Sequence, residues 1–124
     1  MRSQKFWAAA VIAIGLTVPA MAHHSHAMYE PDTRITLQGT VKEFQWVNPH
    51  SWLYLFVTNE AGETEEWALE ARAPFRLAEQ GWVPGLIQPG DEITVTVLPL
   101  RRGARGGLLG IVRMADGREF LDEF

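Results

Sequence analysis

"RITLQGTVKEFQWVNPHSWLYLFVT", residues 34–58, is the stretch whose reading decides the fold. Its first part alternates, with Ile35, Leu37 and Val41 on one side and Arg34, Thr36, Gln38, Thr40 and Lys42 on the other. A two-residue period of this kind marks a half-buried strand, and Gly39 within it predicts a bulge or bend. "QWVNPH" interrupts the pattern, because proline holds the preceding residue extended and has no N–H to give a ladder. "SWLYLFVT" then resumes as a second strand that is apolar on both faces: Leu53, Leu55 and Val57 against Trp52, Tyr54 and Phe56. Successive side chains of a strand point to opposite faces, so only one of these sets can enter a single core. The other, read as Trp52, Tyr54 and Phe56, must be covered by a helix, by another part of the chain or by a partner.

Working outward, "NEAGE" at 59–63 reads as a hairpin turn and "TEEWALEA" at 64–71 as a third strand. "APFRLAEQG" fits a short helix, with Pro74 suited to its first turn and Gly81 to its C-cap. A loop rich in Gly and Pro follows, and "EITVTVLPL" at 92–100 alternates with Ile93, Val95 and Val97 inward. "RRGARGG" at 101–107 reads as a flexible basic loop, "LLGIVRM" as a fifth strand, and "ADGREF" as a turn into a short closing strand. Three antiparallel strands, a short helix and two further strands follow the order of the OB-fold, a five-stranded Greek-key barrel. The expected fold class is therefore all-β with one helix between strands three and four, an OB-like barrel over residues 34–124. An open sandwich of the same strands is the alternative.

The chain ahead of this unit has its own logic. Two positive charges, Arg2 and Lys5, precede the uncharged apolar run from Phe6 to Val18. Pro19 ends that run, and Ala20-Met21-Ala22 places small residues where a signal peptidase reads them. This is the order of a cleavable secretory signal over 1–22. A membrane anchor is the competing reading, but spanning needs about 20 apolar residues and the run is shorter. Cleavage after Ala22 would give a periplasmic or otherwise exported protein without a membrane span, beginning "HHSHAMYE", with residues 23–33 as an arm leading into the barrel.

Removing 22 of 124 residues leaves 102, enough for one domain with a modest core. Disulfides are excluded because the sequence has no Cys. Trp46, Trp52, Trp67 and Trp82 supply apolar area in their place. The net charge of −4 becomes −6 once Arg2 and Lys5 are removed, which offers nucleic acid no global attraction.

"AHHS", "LQGTVKEFQWVNPHSW", "EEWALE", "QGW" and "PGDEITVTVLPLRRGARGG" together resemble the small exported bacterial proteins of the DUF6152 family. The resemblance runs over essentially the whole chain from His23 onward, and W-x-NPHSW is its most specific element. It implies export and compactness; the family has no assigned activity. Its pattern usually carries an aromatic residue after "HHS", so the resemblance marks His26 as an additional histidine.

Three of the four histidines, His23, His24 and His26, lie in the arm. With His23 as the new amino terminus, its α-amine and ring Nδ1 form a chelate, to which His24 adds a second ring. Both donor types are available as neutral nitrogens near neutral pH. An all-nitrogen set of this kind suits Cu(II) or Ni(II), so copper is the expected cofactor. His50 leaves the barrel after Asn48-Pro49 and completes the site if the arm folds back along the first two strands, where Met28 would add a soft thioether. The competing reading is a solvated tail that binds metals adventitiously, with His50 holding the start of its strand.

A second candidate is a ligand or partner site on the face of Trp52, framed by Trp46 and Asn48 of one loop and Arg101, Arg102 and Arg105 of another. These are the loops that border the OB-fold binding face. Against it, Phe75 and Leu77 of the helix or Met28 and Tyr29 of the arm would already cover that face. Glu66 and Glu70 share one face of the third strand, and their like charges predict solvent exposure. No nucleophile elbow, triad, phosphate-cradling or Cys-based zinc motif occurs, so no residue is assigned a catalytic role. An enzymatic function would have to run through a bound metal. The leading expectation is a periplasmic copper-handling protein whose partner is another periplasmic protein that donates or accepts the metal. The alternative is a non-catalytic ligand- or partner-binding module.

Overall fold

The computed structural model describes residues 26–122. A 3₁₀ turn, His26–Met28, is followed by β1 (Ile35–Gln45), β2 (Trp52–Thr58), β3 (Thr64–Glu70), α1 (Pro74–Glu79), β4 (Glu92–Pro99), β5 (Gly106–Met114) and β6 (Glu119–Leu121). The sheet runs β3-β2-β1-β4-β5-β6, and β3 also pairs with β5 in parallel. That last pairing closes β1 to β5 into a barrel, with α1 between β3 and β4 in the chain, as the OB order requires. The short strand β6 adds to the outer edge of β5.

β1 is long because it serves two partners. Ile35–Thr40 pairs with β4 and Thr40–Gln45 with β2. The register slips between Val41 and Glu43, so the bulge falls at Lys42 and not at the predicted Gly39. Lys42 and Glu43 both face solvent, and the extra residue returns Phe44 to the core after buried Val41. Gly39 answers a different need. A Cβ there would fall onto the carbonyl oxygen of Phe56, so only glycine lets β2 come this close.

The interior is filled by the alternation read from the sequence. Val41, Leu53, Leu55, Leu69, Ile93, Val95, Val97, Leu109 and Val112 are buried. α1 has Pro74 in its first turn, and the chain leaves it through Gly81 in the left-handed region just after the C-cap residue Gln80. The helix contributes Leu77, and the loop after it contributes Trp82 and Ile87. Trp82 stacks on Phe44 with ring centres 5.9 Å apart, and its Nε1 donates to the Leu121 carbonyl at 2.9 Å. That bond fastens β6 to the core.

β5 begins two residues earlier than the sequence predicts. Gly106 and Gly107 are buried strand residues, so the flexible part of the basic loop is confined to residues 101–105. Their place between β3 and the end of β4 explains the glycines. Gly106 pairs with Ala68 and Gly107 with Leu69, and a Cβ on Gly107 would sit 2.7 Å from the Leu98 carbonyl oxygen.

Candidate functional site

The outer face of β2 is covered in part by the arm and not by the helix, whose Phe75 is exposed. Tyr29 bridges Leu100 just after β4, and Glu30 N–H donates to Pro99 O at 2.9 Å. Arg101 completes the attachment: its N–H donates to Met28 O at 2.9 Å and its Nε to Ala27 O at 2.7 Å. From Ala27 onward the arm therefore returns to the barrel. Between it, the β1–β2 connection and the β4–β5 loop lies a pocket of about 570 Å³. Met28, Tyr29, His50, Trp52, Tyr54 and Glu70 all line it.

Glu70 is the hub of this pocket. It stands opposite Trp52 in the β2–β3 register, on the outer face. The Tyr29 hydroxyl donates to its Oε2, and its Oε1 meets Nδ1 of His50. Its side chain is only 15% exposed. The prediction of a solvated Glu70 is therefore overturned, because the returning arm shields it and two donors satisfy it. Glu66, on the same face, behaves as predicted: it is exposed and paired with Lys42 at 2.9 Å. Burial raises the Tyr29 hydroxyl above its ordinary pKa of 10.0, reinforced by its hydrogen bond to Glu70 and by that carboxylate's charge. Tyr29 is thus held as a neutral donor.

A second buried carboxylate lies within the field of His50. Asp122 accepts from Arg72 Nε at 2.6 Å and from the Arg72 backbone N–H at 2.9 Å. Burial raises its pKa, while Arg72 first and the charge of His50 after it pull the other way. Ser51, next in sequence to His50, faces inward. It is fully buried, and its hydroxyl has no hydrogen-bond partner among the described residues, so it takes no part in the pocket.

The residues singled out in the sequence divide as follows. His50, Asn48, Trp52 and Arg105 line the pocket. Arg105 also pairs with Glu65 at 2.9 Å; hydrogen bonds from Asn59 and from Arg105 hold that carboxyl below the usual range. Trp46 instead packs against the core beside Phe44, with ring centres 6.0 Å apart. Arg101 holds the arm and pairs with Glu30 at 3.7 Å. It also lines a neighbouring groove with Arg102 and Ala104. The expected secretory signal over 1–22, and His23 and His24, lie outside the described residues, and of His26 only the backbone is described. Among the described residues no group of three or more His, Cys, Asp or Glu side chains could hold a metal ion. None of their helices is long and apolar enough to cross a membrane.

Sequence reasoning missed Glu70 and Tyr29 as partners of His50. The available signal was the strand register, since period-two alternation places Glu70 on the same outer face as Trp52 once the hairpin is aligned.

Residues 10–110 match DUF6152, a family of unknown function. The chain belongs to that family. The match takes in the Asn-Pro-His-Ser-Trp segment, the Glu70 strand and the arm, so the whole pocket lies within the family's span. No curated protein and no solved structure matches the chain.

Proposed function

We propose that this DUF6152 protein is an exported copper-binding domain, in which His23 and His24 of a processed amino terminus bind the metal together with His50. The observation that carries the reading is the Tyr29–Glu70–His50 chain at the foot of the returned arm. A metal-binding histidine commonly gives its other ring nitrogen to a carboxylate, which fixes the tautomer and the direction of the ring. Here Glu70 occupies Nδ1, so coordination would use Nε2. The side chain keeps access to solvent, being about a quarter exposed.

Chain reach is compatible with the site. Met28 lines the same pocket as His50. His24 precedes Met28 by four residues, which at about 3.3–3.6 Å per residue limits their separation to roughly 14 Å. Two imidazoles and an amine from the arm with a third imidazole from the barrel make a nitrogen-rich set that favours Cu(II). A metal held partly by residues at a chain terminus suits transfer to or from a periplasmic partner better than catalysis.

The test is a Cu(II) titration followed by EPR, using protein that begins at His23 and a version with one residue added ahead of it. One-to-one binding with a nitrogen-rich signal, lost on blocking the amine, is expected. His50→Ala should weaken it, and Glu70→Gln should weaken it about 10–100-fold through the ring orientation alone. Binding indifferent to the added residue and to His50 would reduce the histidines to an adventitious tail.

A further inference from the structure

We infer that the pocket outside β2 and β3 binds a neutral saccharide, one pyranose ring of which lies on an aromatic platform formed by Trp52 and Tyr54. The floor is unusual for an outer barrel face. In register across three strands stand Tyr54 of β2, Ala68 of β3 and Gly106 of β5. Beside the aromatic ring there is thus only a methyl group and then Gly106, where the Leu100 side chain lies in the place a Cβ would take, so the shelf is low and apolar. Trp52 lies two residues before Tyr54 on the same face. Both rings are half-buried, so each keeps part of its surface open to the pocket.

The rim supplies the polar half. Gln45 and Asn48 bring side-chain amides, each with a donor end and an acceptor end, as hydroxyl groups require. The formal charges of the lining are balanced and already engaged. Arg105 is paired with Glu65, and Glu70 accepts from Tyr29 and meets His50. An anionic ligand would therefore face Glu70, and a cationic one Arg105. A neutral molecule with an apolar ring face and a hydroxylated edge meets neither penalty. A chain of net charge −4 also disfavours a ligand that brings phosphates. At about 570 Å³ the pocket falls among small-molecule sites. Its position, on strands two and three between the first and last inter-strand loops, is where OB-folds bind oligosaccharides as well as oligonucleotides.

The site is separable from the proposed metal site. It depends on Trp52, Tyr54 and Ala68, none of which would ligate copper, and the two share His50 and its partner Glu70 at their border. The experiment uses the full chain purified as the cell processes it, in chelator, with cellobiose, maltose and N,N′-diacetylchitobiose as probes. Adenosine serves as the aromatic control and a hexasaccharide as the polymeric one. Calorimetry and the shift of the Trp52 indole N–H are followed together. Saturable binding of at least one disaccharide is expected, weakened about tenfold or more by Trp52→Ala and by Ala68→Leu, which fills the shelf. One residue added ahead of His23, which in a separate titration without chelator should abolish the nitrogen-rich copper signal, should leave sugar binding unchanged. Equal binding of the hexasaccharide would mark a glycan chain as the source, and its exclusion a free sugar. The inference is overturned if no sugar saturates up to about 10 mM. It is equally overturned if binding ignores both variants, or if adenosine binds and the sugars do not.

Discussion

Glu66 and Glu70 share one face of β3, four residues apart, yet removing their carboxylates should have very different consequences. In Glu66→Ala the loss is an ion pair with Lys42 whose members are 43% and 44% exposed. Pairs this open contribute roughly 0–1 kcal/mol. In Glu70→Ala the buried Tyr29 hydroxyl loses its acceptor, at about 1–3 kcal/mol for an unsatisfied buried group. His50 Nδ1 loses a charged partner as well, but its side chain is 25% exposed and water can replace part of that bond, leaving about 0.5–1 kcal/mol. The relief of no longer burying a carboxylate offsets some of this, so the net is about 1–3 kcal/mol. For a domain of this size that corresponds to a fall in Tm of roughly 5–20 °C. Urea unfolding followed by tryptophan fluorescence measures both variants, with an unchanged slope showing that only stability has moved. Equal, small midpoint shifts for the two would refute the claim that the arm buries Glu70 and depends on it.

Three further outcomes test other parts of the account. Tyr29 has its pKa raised in the fold, so the stability it contributes is complete below the ordinary value of 10.0 and is lost as pH rises past it. Tyr29→Phe should therefore cost about 1 kcal/mol at neutral pH but remove this alkaline loss, giving a flatter midpoint-against-pH curve between about pH 9 and 11. A variant that follows the parent's alkaline decline would assign that decline elsewhere. Ser51→Ala removes a buried hydroxyl without a partner among the described residues and should raise stability by about 1 kcal/mol, or Tm by roughly 4–8 °C in calorimetry; a fall of similar size would mean that the hydroxyl is satisfied. Gly39→Ala forces a methyl group against the Phe56 carbonyl and should cost about 2 kcal/mol or more in urea, whereas a neutral result would show that β1 and β2 can separate there.

What the sequence determined by itself is the barrel's plan. The alternation at Ile93, Val95 and Val97, and at Leu53 and Leu55, is a property of consecutive residues, and consecutive residues in a strand sample the two faces in turn. The helix between β3 and β4 was legible for the same local reason, from Pro74 at its start and Gly81 beyond its end. His50 could be singled out from its neighbours Asn48 and Pro49. Its partner could not. Whether Glu70 is solvated depends on Tyr29, 41 positions away in the chain, returning across β2, and no local pattern records that return. The glycines make the same point. Gly39 reads as a bulge and Gly106-Gly107 as a flexible loop, because glycine permits all of these states; which one it adopts is decided by the carbonyl that another strand presses against it. Strand periodicity is written residue by residue, but the pocket and its buried carboxylate exist only where distant segments meet.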